Sequence, residues 1–163
     1  MIDCFGGFSA AACYVTGEEP VEVTAIAHQP ADDPRFREVP ESVVFTLRYP
    51  SGAPANCNRS VGSRRSGRYW VICADSWIEI DPAFSYRGLR LRSKLGNAKS
   101  GKGAEYAEMF IEQVDHFAAE MDHFSDSVLN GTARRTPGEM GLADMRIVVA
   151  IHEAARTGRI VKI

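Results

Sequence analysis

Two stretches of this 163-residue chain carry residue types and spacings that could do chemistry. Asp115-His116-Phe117 recurs seven residues on as Asp122-His123-Phe124. On a helix, that step places the two pairs on nearly one face, about 10 Å apart along the axis. Metal–ligand bonds are near ~2 Å, so one ion cannot bridge both imidazoles. The simpler reading is two turns of one amphipathic helix, with Phe117, Met121 and Phe124 facing a sheet at i, i+4, i+7. Gly96-Asn97-Ala98-Lys99-Ser100-Gly101-Lys102-Gly103 nearly matches a phosphate-binding loop. Gly103, however, stands where that loop needs a hydroxyl for Mg²⁺. Helices, not further parallel strands, are expected to follow it. Val71-Ile72-Cys73-Ala74-Asp75 imitates an apolar strand ending in a metal-binding Asp, but it precedes the loop. Residues 94–103 therefore read as a flexible basic connector.

Three smaller groups remain. Arg59, Arg64, Arg65 and Arg68 surround a Ser/Gly-rich bend. They would suit an anion, such as a nucleotide phosphate held by another domain or an acidic sugar, or simply a solvated hairpin tip. His28 ends an alternating run and points away from Val21, Val23, Ala25 and Ala27. Imidazole titrates near neutrality, so His28 could contact a ligand or act as a weak base; a solvent- or interface-facing role is the plainer reading. Cys4, Cys13, Cys57 and Cys73 have no Cys-x-x-Cys spacing. They read as reduced, partly buried thiols of a cytoplasmic protein, not as a zinc site.

The elements that must position these residues follow from periodicity. Residues 3–15 read as a short Ala-rich helix ending at Gly17, weakened by Gly6 and Gly7. Residues 21–27 and 43–49 alternate as strands around a Pro/Asp-rich loop at 29–41. Pro50-Ser51-Gly52 makes a turn, and 53–63 reads as an edge strand, with Pro54 keeping it near an edge. Tyr69–Cys73 and Trp77–Ile80 flank a tight turn like a hairpin, and a strand through Leu89 and Leu91 follows. Residues 104–130 and 137–157 read as helices, and 159–163 as a closing strand. In the second helix Thr136 suits the N-cap, Pro137 the first turn, and Glu139 completes a capping box. Gly158 suits a left-handed C-terminal cap. Consecutive strands with short connections predict an antiparallel sheet. The expected class is α+β: an open, predominantly antiparallel sheet of five to seven strands with helices packed on one face.

The length is that of a single domain, 1–163. A net charge of −2 argues against nucleic-acid and membrane-surface partners. No apolar run approaches the roughly 20 residues of a membrane span.

Several short motifs then fall in one order: Gly17-Glu18-Glu19-Pro20, Pro34-Arg35-Phe36-Arg37-Glu38-Val39, Ser51-Gly52-Ala53, Asp122-His123-Phe124, and the block from Thr136 to Gly158. Together they resemble the C-terminal, substrate-side domain of the glucose–fructose oxidoreductase and inositol dehydrogenase-like family. That family has two domains. The chain contains neither the Gly-x-Gly-x-x-Gly turn of a dinucleotide-binding unit nor the family's Glu-Lys-Pro segment, so the resemblance implies that the N-terminal Rossmann domain is absent. Glu18-Glu19-Pro20 is not that segment; it leads from a helix into a strand.

In the family an Asp-x-Gly-x-Tyr, or a His in the last position, opens this domain and faces the substrate. Aligned on Gly17, the resemblance places Asp3 on the Asp, Phe5 on the Gly and Gly7 on the Tyr. Asp3 and His28 are thus the expected substrate-binding residues, and Asp3 equally suits a first-turn helix acid. Gly7 has no side chain to move a proton, so no catalytic residue is assigned. The implied function is the substrate-side and oligomerisation domain of a nicotinamide-dependent sugar or polyol oxidoreductase, inactive alone. The alternative is a stand-alone, non-catalytic binding or dimerisation module, so enzymatic activity is left open. No cofactor is expected in this chain; a full-length relative would take NAD or NADP. The partners implied are a second copy, docked through the free sheet face, and a separate nucleotide-binding domain.

Overall fold

The computed structural model describes residues 3–63, 67–97 and 102–163; the side chains of residues 3–8, 97 and 102–104 fall outside that description. The chain divides into two compact units, one drawn from Met1–Arg64 with Arg135–Ile163 and the other from Arg65–Arg134.

The first unit is a helix-on-sheet layer. Strands β1 (Glu22–His28), β2 (Ser42–Arg48), β3 (Pro54–Ser60) and β8 (Val161–Lys162) form an antiparallel sheet in the order β3-β2-β1-β8. The expected edge strand is β3, and Pro54 sits at its first position, where a missing N–H costs no central ladder bond. Because side chains alternate across a strand, Val23, Val43, Phe45 and Leu47 all point to one side, where they are buried. Helix α3 (Gly138–Thr157) covers that side with Ile147, Val148, Ala150, Ile151 and Ala154. Helix α1 (Asp3–Thr16) packs on α3 and adds Ala12. The helices lie on one face, as the one-sided strand pattern predicts.

The opposite face of this sheet carries Thr24 and Ile26 on β1, Val44 and Thr46 on β2, and Asn56 on β3. Ile26 sits directly across from Val44 and exposes 78% of its surface; Val44 exposes 54%. Thr46 donates to Asn56 Oδ1 at 2.8 Å, and at one corner Arg48 Nε donates to Glu22 Oε1 at 2.5 Å. The Arg48 hydrogen bond holds the Glu22 carboxyl below the usual range.

The second unit holds the other four strands: β4 (Tyr69–Ile72), β5 (Trp77–Ile80), β6 (Arg90–Asn97) and β7 (Lys102–Phe110), antiparallel in that order. Residues 69–80 form the expected hairpin. Ala83 donates its N–H to Gly67 O at 2.7 Å, and a Cβ on Gly67 would lie 2.6 Å from Ala83 O, so only glycine fits there. Helix α2 (His116–Asn130) follows, capped by Asp115, whose carboxylate accepts from the Phe117 and Ala118 N–H groups.

Four expectations are corrected. The strands form two four-stranded sheets instead of one continuous sheet. Residues 104–110 are strand, not helix. Glu105-Tyr106-Ala107-Glu108-Met109-Phe110 contains good helix formers, but β6 supplies a full ladder of partners, and that pairing overrides weak local propensity. Of the expected flexible connector at 94–103, residues 94–97 end β6 and residues 102–103 open β7, which removes the strand–loop–helix context of a phosphate loop; residues 98–101 lie outside the described residues.

At α3, the N-cap is Pro137, with no side-chain cap. Pro137 is itself extended, at φ −70° and ψ 159°, so the helix starts one residue later than expected, Thr136 falls outside the cap position and the capping box does not form. Gly158 does close the helix at φ +65°. Finally, Phe117, Met121 and Phe124 are exposed and do not face a sheet; only Ser127 of α2 is buried. The shortened helix starts at His116, and Tyr86 is its aromatic neighbour, against His116 and Phe117.

Candidate functional site

His28 is the last residue of β1, and the β1–β2 register sets it opposite Ser42. Glu41, the residue before β2, donates its N–H to His28 O at 2.9 Å and places its carboxylate Oε2 3.8 Å from His28 Nε2. The exposed imidazole therefore has a carboxylate behind it. Val61 N–H donates to Glu41 O at 2.9 Å, and Gly62 lies so close that a Cβ there would strike the Glu41 side chain. The β3 end thus fixes Glu41 from the other side. A carboxylate-backed imidazole can accept a proton or hydrogen-bond a hydroxyl.

The loop between β1 and β2 closes on itself. Gln29 Nε2 donates to Phe36 O at 2.6 Å and Arg37 O at 2.9 Å. Pro34–Phe36 forms a single 3₁₀ turn capped by Asp33, whose carboxylate also pairs with Arg35. That hydrogen bond to Arg35 pulls the Asp33 carboxyl below its usual range. The loop walls an open dish of about 460 Å³, lined by Asp32, Arg37, Gln29 and the Pro30 and Pro34 rings among others. Asp32, Arg37 and Gln29 are groups that can hydrogen-bond hydroxyls. His28 and Glu41 are not in its lining.

Asp3 opens α1, and Gly7 lies within that helix. The Asp3 side chain lies outside the described residues. What holds α1 in place is visible: buried Ser9 donates to Asp144 Oδ1 of α3 at 3.3 Å. Burial pushes the Asp144 carboxyl up, against the pull of Ser9. Below them Cys13 Sγ lies 3.9 Å from the hydroxyl of fully buried Tyr49. Burial raises both groups, and it pushes the Cys57 thiol up to about 11. Protonated, half-buried thiols are poor nucleophiles and poor metal ligands. Cys73 is exposed, unlike the partly buried thiol expected.

The remaining sequence candidates separate. Arg64 and Arg65 lie outside the described residues. Arg59 is on β3, and Arg68 is paired to buried Glu79 at 2.5 Å. Asp115 is a helix cap. Among the described residues no cluster of His, Cys, Asp or Glu could hold a metal ion. Every described strand pair is antiparallel, so no described element forms the parallel βαβ unit that holds a dinucleotide. No described helix is long and apolar enough to cross a membrane.

Sequence reasoning missed Glu41, Ser9 with Asp144, and Glu79. Alternation gave the faces of β1 and β2, but no local signal pairs residues thirteen or more positions apart.

Residues 9–79 match the GFO/IDH/MocA C-terminal domain. The chain is 27% identical over 132 residues to a D-xylose 1-dehydrogenase (NADP(+)) of Haloarcula marismortui, covering 78% of this chain and 34% of that protein. It is 30% identical over 117 residues to D-xylose 1-dehydrogenase (NADP(+)) 2 of Haloferax volcanii, covering 72% and 35%. The crystal structure of aldose-aldose oxidoreductase from Caulobacter crescentus, complexed with glycerol, is 40% identical, with a TM-score of 0.83 over 99% of this chain and 46% of that one. The chain thus spans about a third of the length of the curated relatives it matches.

Proposed function

Because the chain belongs to the GFO/IDH/MocA family through its C-terminal domain, we propose that it forms the substrate-side and oligomerisation domain of a nicotinamide-dependent sugar or polyol oxidoreductase. The observation that carries this reading is the 40% identity, along nearly the whole chain, to one half of an aldose–aldose oxidoreductase. Two further relatives are named for the oxidation of xylose with NADP.

In this reading the nicotinamide, held by a nucleotide-binding domain, supplies the redox chemistry. The chain's own residues hold and orient the sugar. Asp3, at the first turn of α1, would accept hydrogen bonds from sugar hydroxyls, and the Ser9–Asp144 bond fixes the helix that carries it. His28, backed by Glu41, is a further candidate hydroxyl contact, but it lies on the outer sheet face with Ile26 and not on the side that α1 covers. The outer face of the first sheet, centred on Ile26 and Val44, is the surface that meets a second copy. The pair of large β-branched side chains exposed side by side supports this reading.

Gly7 favours a second reading. Where the resembled family places a Tyr or His, this chain has no proton-transferring group. The domain would then serve as a non-catalytic binding or dimerisation module.

Titration of the purified chain with NADPH and NADH, read by cofactor fluorescence, tests the architecture. The expected result is no saturable binding; saturation at micromolar cofactor would overturn it. Chemical-shift mapping with D-xylose separates the two readings. Shifts confined to α1 and the His28 end of β1 support a substrate wall, whereas none at saturating sugar supports the module.

A further inference from the structure

The dish in the β1–β2 loop is held open by bonds of its own. Phe36 is buried and anchors the 3₁₀ turn. Both donors of the Gln29 amide are spent on the Phe36 and Arg37 carbonyls, so Gln29 offers a ligand only its Oε1 acceptor. Asp33 and Arg35 spend their charges on each other. Pro30 and Pro34 fix their own backbone angles and stiffen the wall. A loop tied in this way loses little freedom when a ligand arrives.

Two charges of the lining are left over. Asp32 and Arg37 both line the dish, and neither side chain makes a hydrogen bond or an ion pair among the described residues. One is an acceptor-only carboxylate and the other a donor-only guanidinium. The group that satisfies both must carry a cation and an anion.

We propose that this dish binds a free α-amino acid with an uncharged side chain, its ammonium on Asp32 and its carboxylate on Arg37. The guanidinium takes the carboxylate through two parallel N–H bonds, and Gln29 Oε1 is a second acceptor for the ammonium. The ligand side chain lies against Pro30, Ala31 and Pro34. Charge decides against other small molecules. A phosphate or a dicarboxylate meets a like charge at Asp32, and a simple cation meets one at Arg37. A neutral polyol leaves both charges without an ionic partner. Size decides which zwitterion fits. A volume of 460 Å³ is about 10 Å across if taken as a sphere. An ammonium and a carboxylate about 3 Å apart, each bonded to its partner over about 2.8 Å, span about 9 Å. A zwitterion with its charges at the two ends of a long chain overshoots that span.

The full chain, labelled with nitrogen-15, is titrated with L-leucine at pH 7 and followed by its backbone-amide shifts. The expected result is a saturable shift confined to residues 29–37, with half-saturation on the order of 10 mM. Isoamylamine and 4-methylpentanoate are leucine without its carboxylate and without its ammonium. Each should bind about fivefold more weakly, the upper end of what one exposed ion pair contributes. Asp32→Asn should weaken leucine to the level of 4-methylpentanoate and leave 4-methylpentanoate unchanged, and Arg37→Gln should do the same with respect to isoamylamine. Both positions are exposed, so the far-ultraviolet circular dichroism should match the wild type. The ligand series on the wild type decides the matter without either variant. No saturation, shifts centred elsewhere, or analogues that bind as well as leucine would each overturn the proposal. So would displacement of leucine by an equal concentration of D-xylose, which would give the dish to a sugar.

Discussion

Neighbouring residues on one strand pair should fail in opposite ways. Ile26→Asp puts a charge at the centre of the outer face of the first sheet, across from Val44. With 78% of Ile26 exposed, little of its burial energy is realised within the chain. Full burial of an isoleucine is worth about 2–3 kcal/mol, so most of that, about 2 kcal/mol, remains to be gained in a complex. A two-fold interface uses the same patch on both copies, which doubles the loss to about 4 kcal/mol, roughly a thousandfold in the dimer dissociation constant. Phe45→Ala, one residue beyond Val44 but on the helix-covered face, should instead cost about 3–5 kcal/mol of folding stability. Sedimentation equilibrium gives the first quantity. Urea unfolding at a concentration where both proteins are monomeric gives the second. If Ile26→Asp associates as the wild type does, the outer face is not the oligomer surface. If it also unfolds as easily as Phe45→Ala, the assignment of faces itself is wrong.

Three further outcomes follow from the structure. Asp144 has its folded-state pKa raised by burial, so its contribution favours folding below the unfolded value of about 4 and is lost as pH rises through the folded value. Asp144→Asn keeps an acceptor for Ser9 and removes that loss, so it should raise the urea midpoint at pH 7, with the gain vanishing near pH 3; an equal gain at both would refute burial as the cause. Gly67→Ala forces a Cβ against the Ala83 carbonyl and should cost about 1–3 kcal/mol, whereas Gly138→Ala, with open space around it, should be neutral or slightly stabilising by the same thermal melts. In native-state hydrogen exchange, amides of β1, β2 and α3 should open only with global unfolding while those of β4 to β7 exchange through smaller openings; equal protection of both sheets would contradict this.

What the sequence revealed divides along a physical line. The strands at 22–28 and 42–48 were legible because β-branched and aromatic residues alternate there with polar ones, and that period also names the buried face. Gly158 was legible because a left-handed cap needs no partner beyond its own helix. Residues 104–110 were not, since Ala, Glu and Met favour a helix until a neighbouring strand offers its ladder, and β6 lies outside any local window. The stripe Phe117, Met121, Phe124 correctly announced an amphipathic helix, but an apolar stripe says only that a face is apolar, not what lies against it. The site fared likewise. His28 was found by its type, whereas Glu41 becomes its partner only once the β1–β2 register brings the ends of the loop together. Glu79 required knowing which residues share a row across three strands.

The two units also distribute stability and interaction differently. The contiguous apolar cluster of buried residues lies wholly in the first unit, between its sheet and α3. In the second, the buried residues among those described are Ala83, Glu79 and Ser127, and its large apolar side chains, from Trp70 and Ile72 to Met109 and Phe110, are exposed on both sides of the sheet. A sheet gains its stability by burying at least one face, and four strands joined by cross-strand pairs alone are marginal. The ion ladder on Glu79 does not make up the difference, because paired charges contribute little net free energy once their desolvation is counted. The second unit therefore presents much of its apolar surface unspent, available to a ligand or partner. The first unit is the rigid scaffold: its core fixes α1, and through Ser9 and Asp144 it fixes the helix turn that opens with Asp3. Substitutions in the core of the first unit should thus be read out as stability, and substitutions on the sheet of the second as binding.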